Sequence, residues 1–271
     1  MNSENNLEEE IFCLQYELKT LSEIFFYNKA ERWVKGFMHK NAETEHLKRY
    51  DFACGHVKGK RVLDIACGCG YGSSLLLKQG QAQEIIGVDI EQDAIRYANH
   101  RYYADNIKRY VGDGTKFSDA KKFDVIISFE TIEHVPNYKE LLENFYNNLN
   151  ESGILLISTP INKITTTNLN NPYHVIEWSF SDFHKLLENY FEIQEVYLQN
   201  VKEDLGYKEK KISLHKELIF KIRPDLKEKH QKELQKKKVQ IGKDFEIYQN
   251  QYKKDRIYDG YQLVLAKRKS E

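Results

Sequence analysis

A glycine-rich turn is the part of the sequence best suited to hold a small ligand. The run VLDIACGCGYGS places Asp64 inside an apolar segment and puts Gly68 and Gly70 directly after it. Glycines let a ligand approach the backbone without meeting a Cβ, and a helix that begins near Tyr71 offers unpaired N–H groups to a carboxylate or phosphate. A strand, a glycine turn and a helix in this order predict a nucleotide-like cofactor at the carboxyl edge of a sheet.

Acidic residues follow three further apolar runs. Asp89 ends the run EIIGVD, Asp113 follows KRYVG, and Glu130 follows FDVIISF. The carboxyl ends of parallel strands meet at one edge of a sheet, so these carboxylates are expected beside the glycine turn. A carboxylate at Asp89 is placed to accept hydrogen bonds from both hydroxyls of a ribose.

Short apolar runs alternate with amphipathic helices between residues 60 and 160. The runs are rich in Ile and Val and lack polar alternation, as in parallel strands buried on both faces. The alternation predicts a doubly wound α/β fold with right-handed crossovers. Seven strands are predicted over the whole chain, at 61–66, 84–90, 108–113, 123–129, 153–158, 191–201 and 260–268.

The predicted core consists of residues 59–201 and 259–271 and is flanked by two other segments. Residues 1–58 form a predicted N-terminal helical cap. Residues 202–258 form a predicted basic and mostly helical insertion, which serves as a lid or as an oligomer contact. Within it, Pro224 and the DLKEKHQKELQKKK that follows predict a helix without an apolar stripe. Such a helix is exposed, bridges other elements or becomes ordered only with a ligand.

A predicted helix over residues 7–27 has an apolar stripe at heptad spacing. Such a stripe indicates packing against the chain's own domain, and a homodimer seam is the alternative. The insertion offers a second possible homodimer contact. The stripe consists of Leu7, Ile11, Leu14, Leu18, Leu21 and Phe25.

Charge is unevenly distributed along the chain. The totals are 41 Lys or Arg and 41 Asp or Glu, and this zero net charge argues against a dedicated nucleic-acid binder. Within residues 202–257, however, 17 basic residues oppose 10 acidic ones, a local charge of +7. This local excess favours an anionic small molecule as the partner.

Membrane and disulfide patterns are missing from the sequence. No apolar run approaches the roughly 18 residues that cross a bilayer, and the first residues have no signal-peptide core. Four cysteines do not make a disulfide framework, and we expect a cytoplasmic protein without a membrane span. Cys67 and Cys69 alone fall short of the four ligands of a typical zinc site, so no metal site is predicted.

The spacing Asp64-x-x-Cys67-Gly68-x-Gly70 resembles motif I of the class I S-adenosylmethionine (SAM)-dependent methyltransferases. This resemblance extends over residues 60–160. It implies a Rossmann-like, seven-stranded, mostly parallel sheet with an antiparallel last strand, SAM as cofactor and S-adenosylhomocysteine (SAH) as product. The glycine spacing opposes the alternative of a NAD(P)-dependent oxidoreductase, and an inactive SAM-binding subunit is a further alternative.

The resemblance also assigns roles to the residues of the turn and the strand ends. Asp89 would hold the ribose, Asp113 would face the adenine amino group, and the adjacent Gly114 would frame the adenine. Backbone groups from Ala66 onward would hold the carboxylate and amine of SAM. The implied cofactor-binding residues are Asp64, Ala66, Cys67, Gly68, Gly70, Asp89, Ile90, Asp113, Gly114 and Glu130.

Three further segments narrow the resemblance. EHLKRYDFA (45–53), FETIEHVPN (129–137) and ISTP…NPYHVIEWS (157–179) are similar to small-molecule methyltransferases of bacterial capsule and lipopolysaccharide gene clusters. The resemblance implies methyl transfer to an oxygen of a sugar, a nucleotide sugar or a phosphorylated precursor. A phosphate- or phosphoramidate-type oxygen and an amine are the alternative acceptors.

A hydroxyl acceptor must lose a proton, so a general base assists its methylation. His134 follows the fourth predicted strand and His174 follows the fifth, so both are expected at the carboxyl edge of the sheet. They are the candidate bases. Glu133 and Tyr173 are adjacent second choices.

Overall fold

The computed structural model describes residues 3–27, 34–37, 40–204, 238–241, 246–247 and 257–270. In these ranges the helices are α1 (Ser3–Ser22), α2 (Lys40–Cys54), α3 (Tyr71–Lys78), α4 (Gln92–Arg101), α5 (Tyr138–Asn148) and α6 (Phe180–Leu187). The longer strands are β1 (Arg61–Ile65), β2 (Glu84–Asp89), β3 (Ile107–Val111), β4 (Phe123–Phe129), β5 (Leu149–Asn162), β7 (Phe191–Gln199) and β12 (Tyr261–Arg268). The shorter ones are β6 (Trp178–Ser179), β8 (Val201–Asp204), β9 (Lys238–Ile241), β10 (Glu246–Ile247) and β11 (Ile257–Tyr258).

The seven longer strands form one sheet in the order β3-β2-β1-β4-β5-β12-β7. The pairs from β3 to β5 are parallel, and β12 runs antiparallel to both β5 and β7. The Rossmann-like, mostly parallel sheet with an antiparallel last strand is therefore confirmed. Two short strands extend it, because β10 pairs with β7 and β6 pairs with β5.

Both faces of this sheet are covered, which explains why its central strands are uniformly apolar. Val62 and Leu63 are neighbours on β1 and are both fully buried, but they belong to two separate apolar clusters. Successive side chains of a strand point to opposite faces, so each face of β1 supplies one cluster. Each such side chain contributes about 1.5–3 kcal/mol by leaving water.

The chain order creates a crevice between β1 and β4. From β1 the chain moves outward to β2 and β3, whereas β4 lies on the other side of β1 and is followed by β5. Ligands of open α/β sheets bind outside the carboxyl ends of the strands at such a reversal. The residues after Ile65 and after Phe129 border this crevice.

Helix α1 packs on the domain through a face that the sequence analysis did not select. Glu10 and Glu17 form ion pairs with Arg101 of α4, and Cys13 and Tyr16 are buried between the two helices. The prediction that the heptad stripe packs on the domain is wrong. Its members Leu7, Ile11, Leu14, Leu18 and Phe25 are exposed.

The insertion differs from its prediction wherever the structure describes it. The described residues between 202 and 258 lie in the strands β8 to β11 and not in helices, and β8 pairs with β9 and β11. The helix predicted after Pro224 lies outside the described residues, as do all residues from 205 to 237. Because most of residues 202–258 lie outside the described residues, a mostly helical insertion stays a prediction.

Candidate functional site

The turn between β1 and α3 has a left-handed backbone at three positions. Ala66 has φ 58°, Gly68 has φ 52° and Gly70 has φ 81°. A Cβ on Gly70 would lie 2.6 Å from the Cβ of Ala98, whereas a Cβ on Gly68 would have no heavy atom within 4 Å. Gly70 is therefore required by packing, and Gly68 borders open space.

Asp64 anchors this turn from beneath. Its carboxylate is fully buried and accepts hydrogen bonds from the hydroxyl of Tyr50 at 3.1 Å and from that of Ser73 at 2.6 Å. These bonds join β1 to α2 and α3. Burial raises the pKa of Asp64 to about 6, although the two hydroxyls partly oppose that shift.

Asp89 reaches the same turn from the end of β2. Its Oδ2 accepts from the N–H of Gly68 at 2.9 Å and its Oδ1 accepts from the N–H of Glu91 at 3.0 Å. These two bonds tie the end of β2 to the glycine turn and to the residue that precedes α4. The next side chain, Ile90, is 72% exposed and offers an apolar surface beside this carboxylate.

Asp113 and Gly114 border the crevice after β3. Asp113 is exposed, and its Oδ1 accepts from both the N–H and the hydroxyl of Thr115, which lowers its pKa. A Cβ on Gly114 would approach Ile65 to 2.9 Å, so the backbone there packs closely on the end of β1.

Glu130 closes the crevice on the β4 side. It has φ 51°, and its Oε1 accepts from the hydroxyl of Ser158 on β5 at 2.7 Å. Left-handed backbone costs a non-glycine residue about 1–2 kcal/mol. Ala66 and Glu130 both adopt it, one at each of the two strand ends that flank the crevice, and such strain concentrates at functional sites.

The candidate bases come together after β4 and β5. The rings of His134 and His174 are 4.7 Å apart at an angle of 85°. The Nδ1 of His134 lies 3.1 Å from the carbonyl oxygen of Tyr173, and the Nδ1 of His174 lies 2.7 Å from Oε1 of Glu177. Tyr173 contributes this carbonyl, and its side chain is 40% exposed.

Glu133 lies beneath these histidines and is fully buried. Its Oε2 accepts from the hydroxyl of Thr159 at 3.1 Å, whereas its Oε1 has no hydrogen-bond partner. Burial, and next the charge of Glu130, raise the pKa of Glu133 well above its ordinary value. Its backbone carbonyl accepts from the N–H of Val175 at 2.8 Å, which holds the His174 loop in place.

A cavity of about 750 Å³ adjoins His174. Its walls come from α2, the end of β5, the His174 loop and the junctions of β7 with β8 and of β11 with β12. Polar and charged groups of both signs line it, among them Glu45, Lys48, Glu177, Asn200, Lys202 and Asp259. A cavity of this size has room for a small polar acceptor.

A family model described as a methyltransferase domain matches residues 56–237. The chain belongs to this family. A probable SAM-dependent methyltransferase of Mycolicibacterium smegmatis is 29% identical over 173 residues, which are 61% of the chain and 65% of that relative. A ubiquinone biosynthesis O-methyltransferase of Glaesserella parasuis is 35% identical over 109 residues, which are 37% of the chain and 45% of that relative.

The fold comparison agrees with this membership in the class I SAM-dependent methyltransferases. The N-methyltransferase NodS of Bradyrhizobium japonicum, crystallised with SAH, superposes with a TM-score of 0.53 at 14% identity. The match covers 95% of this chain and 99% of that one. The chain spans less than two thirds of the length of these two sequence relatives. Membership in this family displaces the oxidoreductase alternative.

Two buried residues of α2 complete the site of this methyltransferase-family chain, and the sequence analysis did not select them. Tyr50 bonds Asp64, and its ring fills the space beside Gly72, whose added Cβ would lie 2.1 Å away. Arg49 is 1% exposed, donates to Gln199 at 2.7 Å and lies 4.8 Å from the centre of the Tyr261 ring. A buried arginine has no local pattern, so only the tertiary packing could identify it.

Cys67 and Cys69 are each 2% exposed and pack within the turn. The thiol of Cys69 lies 3.7 Å from the hydroxyl of Tyr16, and burial raises the pKa of Cys67 well above its ordinary value. Such buried thiols are inert and pack as small apolar side chains.

Among the described residues, no helix is both long and apolar enough to cross a bilayer.

Proposed function

We propose that the chain is an active SAM-dependent methyltransferase that methylates an oxygen of a small-molecule precursor of a surface polysaccharide. The acceptor is a sugar, a nucleotide sugar or a phosphorylated intermediate. The observation that supports an oxygen acceptor best is the cavity of about 750 Å³ beside His174, because its hydrogen-bonding groups of both signs suit a molecule rich in hydroxyls.

We propose that SAM binds along the crevice between β1 and β4. The open space at Gly68 accommodates its methionine part, Asp89 accepts hydrogen bonds from the ribose, and the exposed Ile90 packs on the adenine. When bound, SAM supplies an electrophilic methyl group on a positively charged sulfur. The proposed binding residues are Asp64, Ala66, Cys67, Gly68, Gly70, Asp89, Ile90, Asp113, Gly114 and Glu130.

The chain's own contribution to the reaction is to orient and activate the acceptor. Positioning a reactive oxygen against the methyl carbon supplies much of the rate of such a displacement. We assign activation of the acceptor hydroxyl to the cluster of Glu133, His134, Tyr173 and His174. In it the Glu177 carboxylate orients the imidazole of His174. An imidazole of this cluster would accept the hydroxyl proton, the oxygen would bond the methyl carbon, and the electrons of the broken S–C bond would return to sulfur.

An anionic acceptor is supported by two lysines of the cavity. Lys48 and Lys202 both line it, but Glu45, Glu177 and Asp259 line it as well. These residues provide donors for a phosphate and acceptors for hydroxyls, which suits a nucleotide sugar. A phosphate- or phosphoramidate-type oxygen, or an amine, is the alternative within the same cavity, and an anionic oxygen would need no base.

We further propose a homodimer through α1. The exposed stripe keeps heptad spacing, which suits a second helix with the same pattern. The insertion is the other predicted homodimer contact, and most of it lies outside the described residues.

A cytoplasmic location is supported by the four cysteines, all of which lie in the described ranges and form no disulfide there.

Transfer of a labelled methyl group tests this proposal. The full chain is incubated with methyl-labelled SAM and a panel of sugars, nucleotide sugars, phosphorylated sugars and amines. We expect label on an oxygen of a sugar-containing acceptor, with one SAH formed per methyl transferred. SAH binding without transfer to any member of the panel would favour the inactive SAM-binding subunit, and transfer to an amine would overturn the oxygen assignment.

A further inference from the structure

Three side chains beside the acceptor cavity are close enough to share one cation. A carboxylate oxygen of Glu133 and a ring nitrogen from each of His134 and His174 lie within 4.8 Å of one another. In the part of the chain that the structure describes, no other group of three His, Cys, Asp or Glu residues is this close. The sequence analysis did not predict this grouping, because Glu133 and His174 are 41 positions apart.

Glu133 provides a second and independent observation. Its side chain is fully buried, and its Oε1 has no hydrogen-bond partner. A buried acceptor without a partner costs about 1–3 kcal/mol. Among the described residues no Lys or Arg forms an ion pair with it; the charge of Arg49 acts on it from a distance, but the Arg49 guanidinium donates to Gln199. A cation at this oxygen would supply both the missing partner and the counter-charge.

Both imidazoles are held in the orientation that metal ligands adopt. The Nδ1 of His134 faces the Tyr173 carbonyl, and the Nδ1 of His174 faces the Glu177 carboxylate. These two partners only accept hydrogen bonds, so each Nδ1 bears the hydrogen and the lone pair of each neutral ring is on Nε2. Metal-binding histidines almost always donate their other ring N–H to a carboxylate or a carbonyl in this way.

We infer that Glu133, His134 and His174 bind one divalent transition metal ion at the edge of the acceptor cavity. Two imidazole nitrogens and one carboxylate oxygen form a donor set that suits Zn²⁺ or Fe²⁺ and leaves coordination positions open. Ligands about 2.1 Å from a tetrahedral ion are about 3.4 Å apart. The three ligand atoms, which lie within 4.8 Å of one another, therefore need to approach by up to about 1.4 Å.

The role of this ion rests on the proposed function, whereas the site itself does not. His174 also lines the cavity, so a hydroxyl of the acceptor is able to reach an open position on the ion. Coordination lowers the pKa of a bound hydroxyl, and its proton then passes to water. The ion would thus replace a general base at the same residues.

Metal binding is measured on the full chain after treatment with a chelator. Co²⁺ is titrated by absorbance and Zn²⁺ by calorimetry, and we expect one ion per chain. His134→Ala and His174→Ala should each lower the affinity at least tenfold, and Glu177→Gln should lower it by about 10–100-fold. His100→Ala is the matched control, because His100 pairs with Glu10 of α1 and does not belong to the cluster, so this variant should retain full affinity.

Two results would overturn the inference: no stoichiometric binding by the wild type, or equal binding by the wild type and a variant with both His134 and His174 replaced. SAH affinity, measured on every variant, shows that the fold is intact. Undiminished methyl transfer in excess chelator would refute the role of the ion and leave the proposed function standing. Stoichiometric metal binding with no methyl transfer to any acceptor would refute the proposed function and leave the metal site standing.

Discussion

Gly68 and Gly70 share one turn and the same left-handed backbone, but their surroundings differ. A Cβ at position 68 meets open space, whereas a Cβ at position 70 would lie 2.6 Å from Ala98 and 3.0 Å from Arg109. Replacing each glycine by alanine therefore distinguishes a glycine that is required for ligand binding from one that is required for packing of the fold. Gly68→Ala should impair cofactor binding, and Gly70→Ala should impair stability.

The expected magnitudes follow from these contacts. In Gly68→Ala the alanine must adopt the left-handed backbone conformation without any steric clash, which lowers the unfolding free energy by about 1–2 kcal/mol. Gly70→Ala incurs the same cost and in addition overpacks the interface with α4, which adds about 1–3 kcal/mol. A methyl group in the cofactor space at position 68 should lower SAH affinity at least tenfold, or about 1.4 kcal/mol.

The assay combines two measurements on each variant. Denaturant titration gives the unfolding free energy, and calorimetry gives the SAH affinity at a temperature where both variants remain folded. We predict that Gly68→Ala loses SAH affinity at least tenfold and that Gly70→Ala loses more unfolding free energy than Gly68→Ala. Unchanged SAH affinity in a folded Gly68→Ala variant would refute the placement of the cofactor over this turn.

Three other changes test separate parts of the account. Burial raises the pKa of Asp64 from 3.8 to about 6, so the folded chain binds the carboxyl proton more tightly than the unfolded chain does. The unfolding free energy should therefore fall by about 3 kcal/mol as the pH rises from about 4 to 6. In denaturant titrations at several pH values, Asp64→Asn should remove this pH dependence of the unfolding free energy, and the exposed control Asp105→Asn should keep it. Equal pH dependence in the wild type and Asp64→Asn would contradict the raised pKa of Asp64. Asp89→Ala should weaken SAH binding at least tenfold in calorimetry, and unchanged affinity would exclude it as the ribose ligand. Leu14→Glu should convert a dimer into a monomer in light scattering, and a wild type that is monomeric at every concentration would remove the homodimer proposal.

The sheet was predictable because its signal is local. Strands such as IleIleGlyVal at 85–88 are buried on both faces, so their residues are apolar without alternation. The acidic and glycine residues at the strand ends were predictable for a related reason, since a parallel sheet brings all its carboxyl ends to one edge. Their hydrogen-bond partners were not, because the bond from Tyr50 to Asp64 joins separate elements.

The error on α1 has a physical cause. A heptad stripe indicates where a helix can bury apolar surface, but α1 docks on α4 mainly by charge and by small or aromatic contacts. Glu10 and Glu17 bond Arg101, and Cys13 and Tyr16 fill the space between the helices. The pairing of glutamates with basic residues about 90 positions away has no signature in the sequence of the helix itself.

The grouping of Glu133 with His174 also exceeded what the sequence could show. The sequence predicts both residues at the carboxyl edge of the sheet. The N–H of Val175 donates to the carbonyl of Glu133, and this bond holds the His174 loop beside the segment after β4. That contact depends on how the loop after β5 folds back. Spacing along the chain does not determine it.

Calorimetric titration of the full chain with SAH tests the central claim most directly. The account predicts saturable binding of one SAH per chain, competed by SAM and weakened at least tenfold by Asp89→Ala. Absence of SAH binding by a folded wild-type chain would contradict the cofactor site, and with it the proposed methyl transfer.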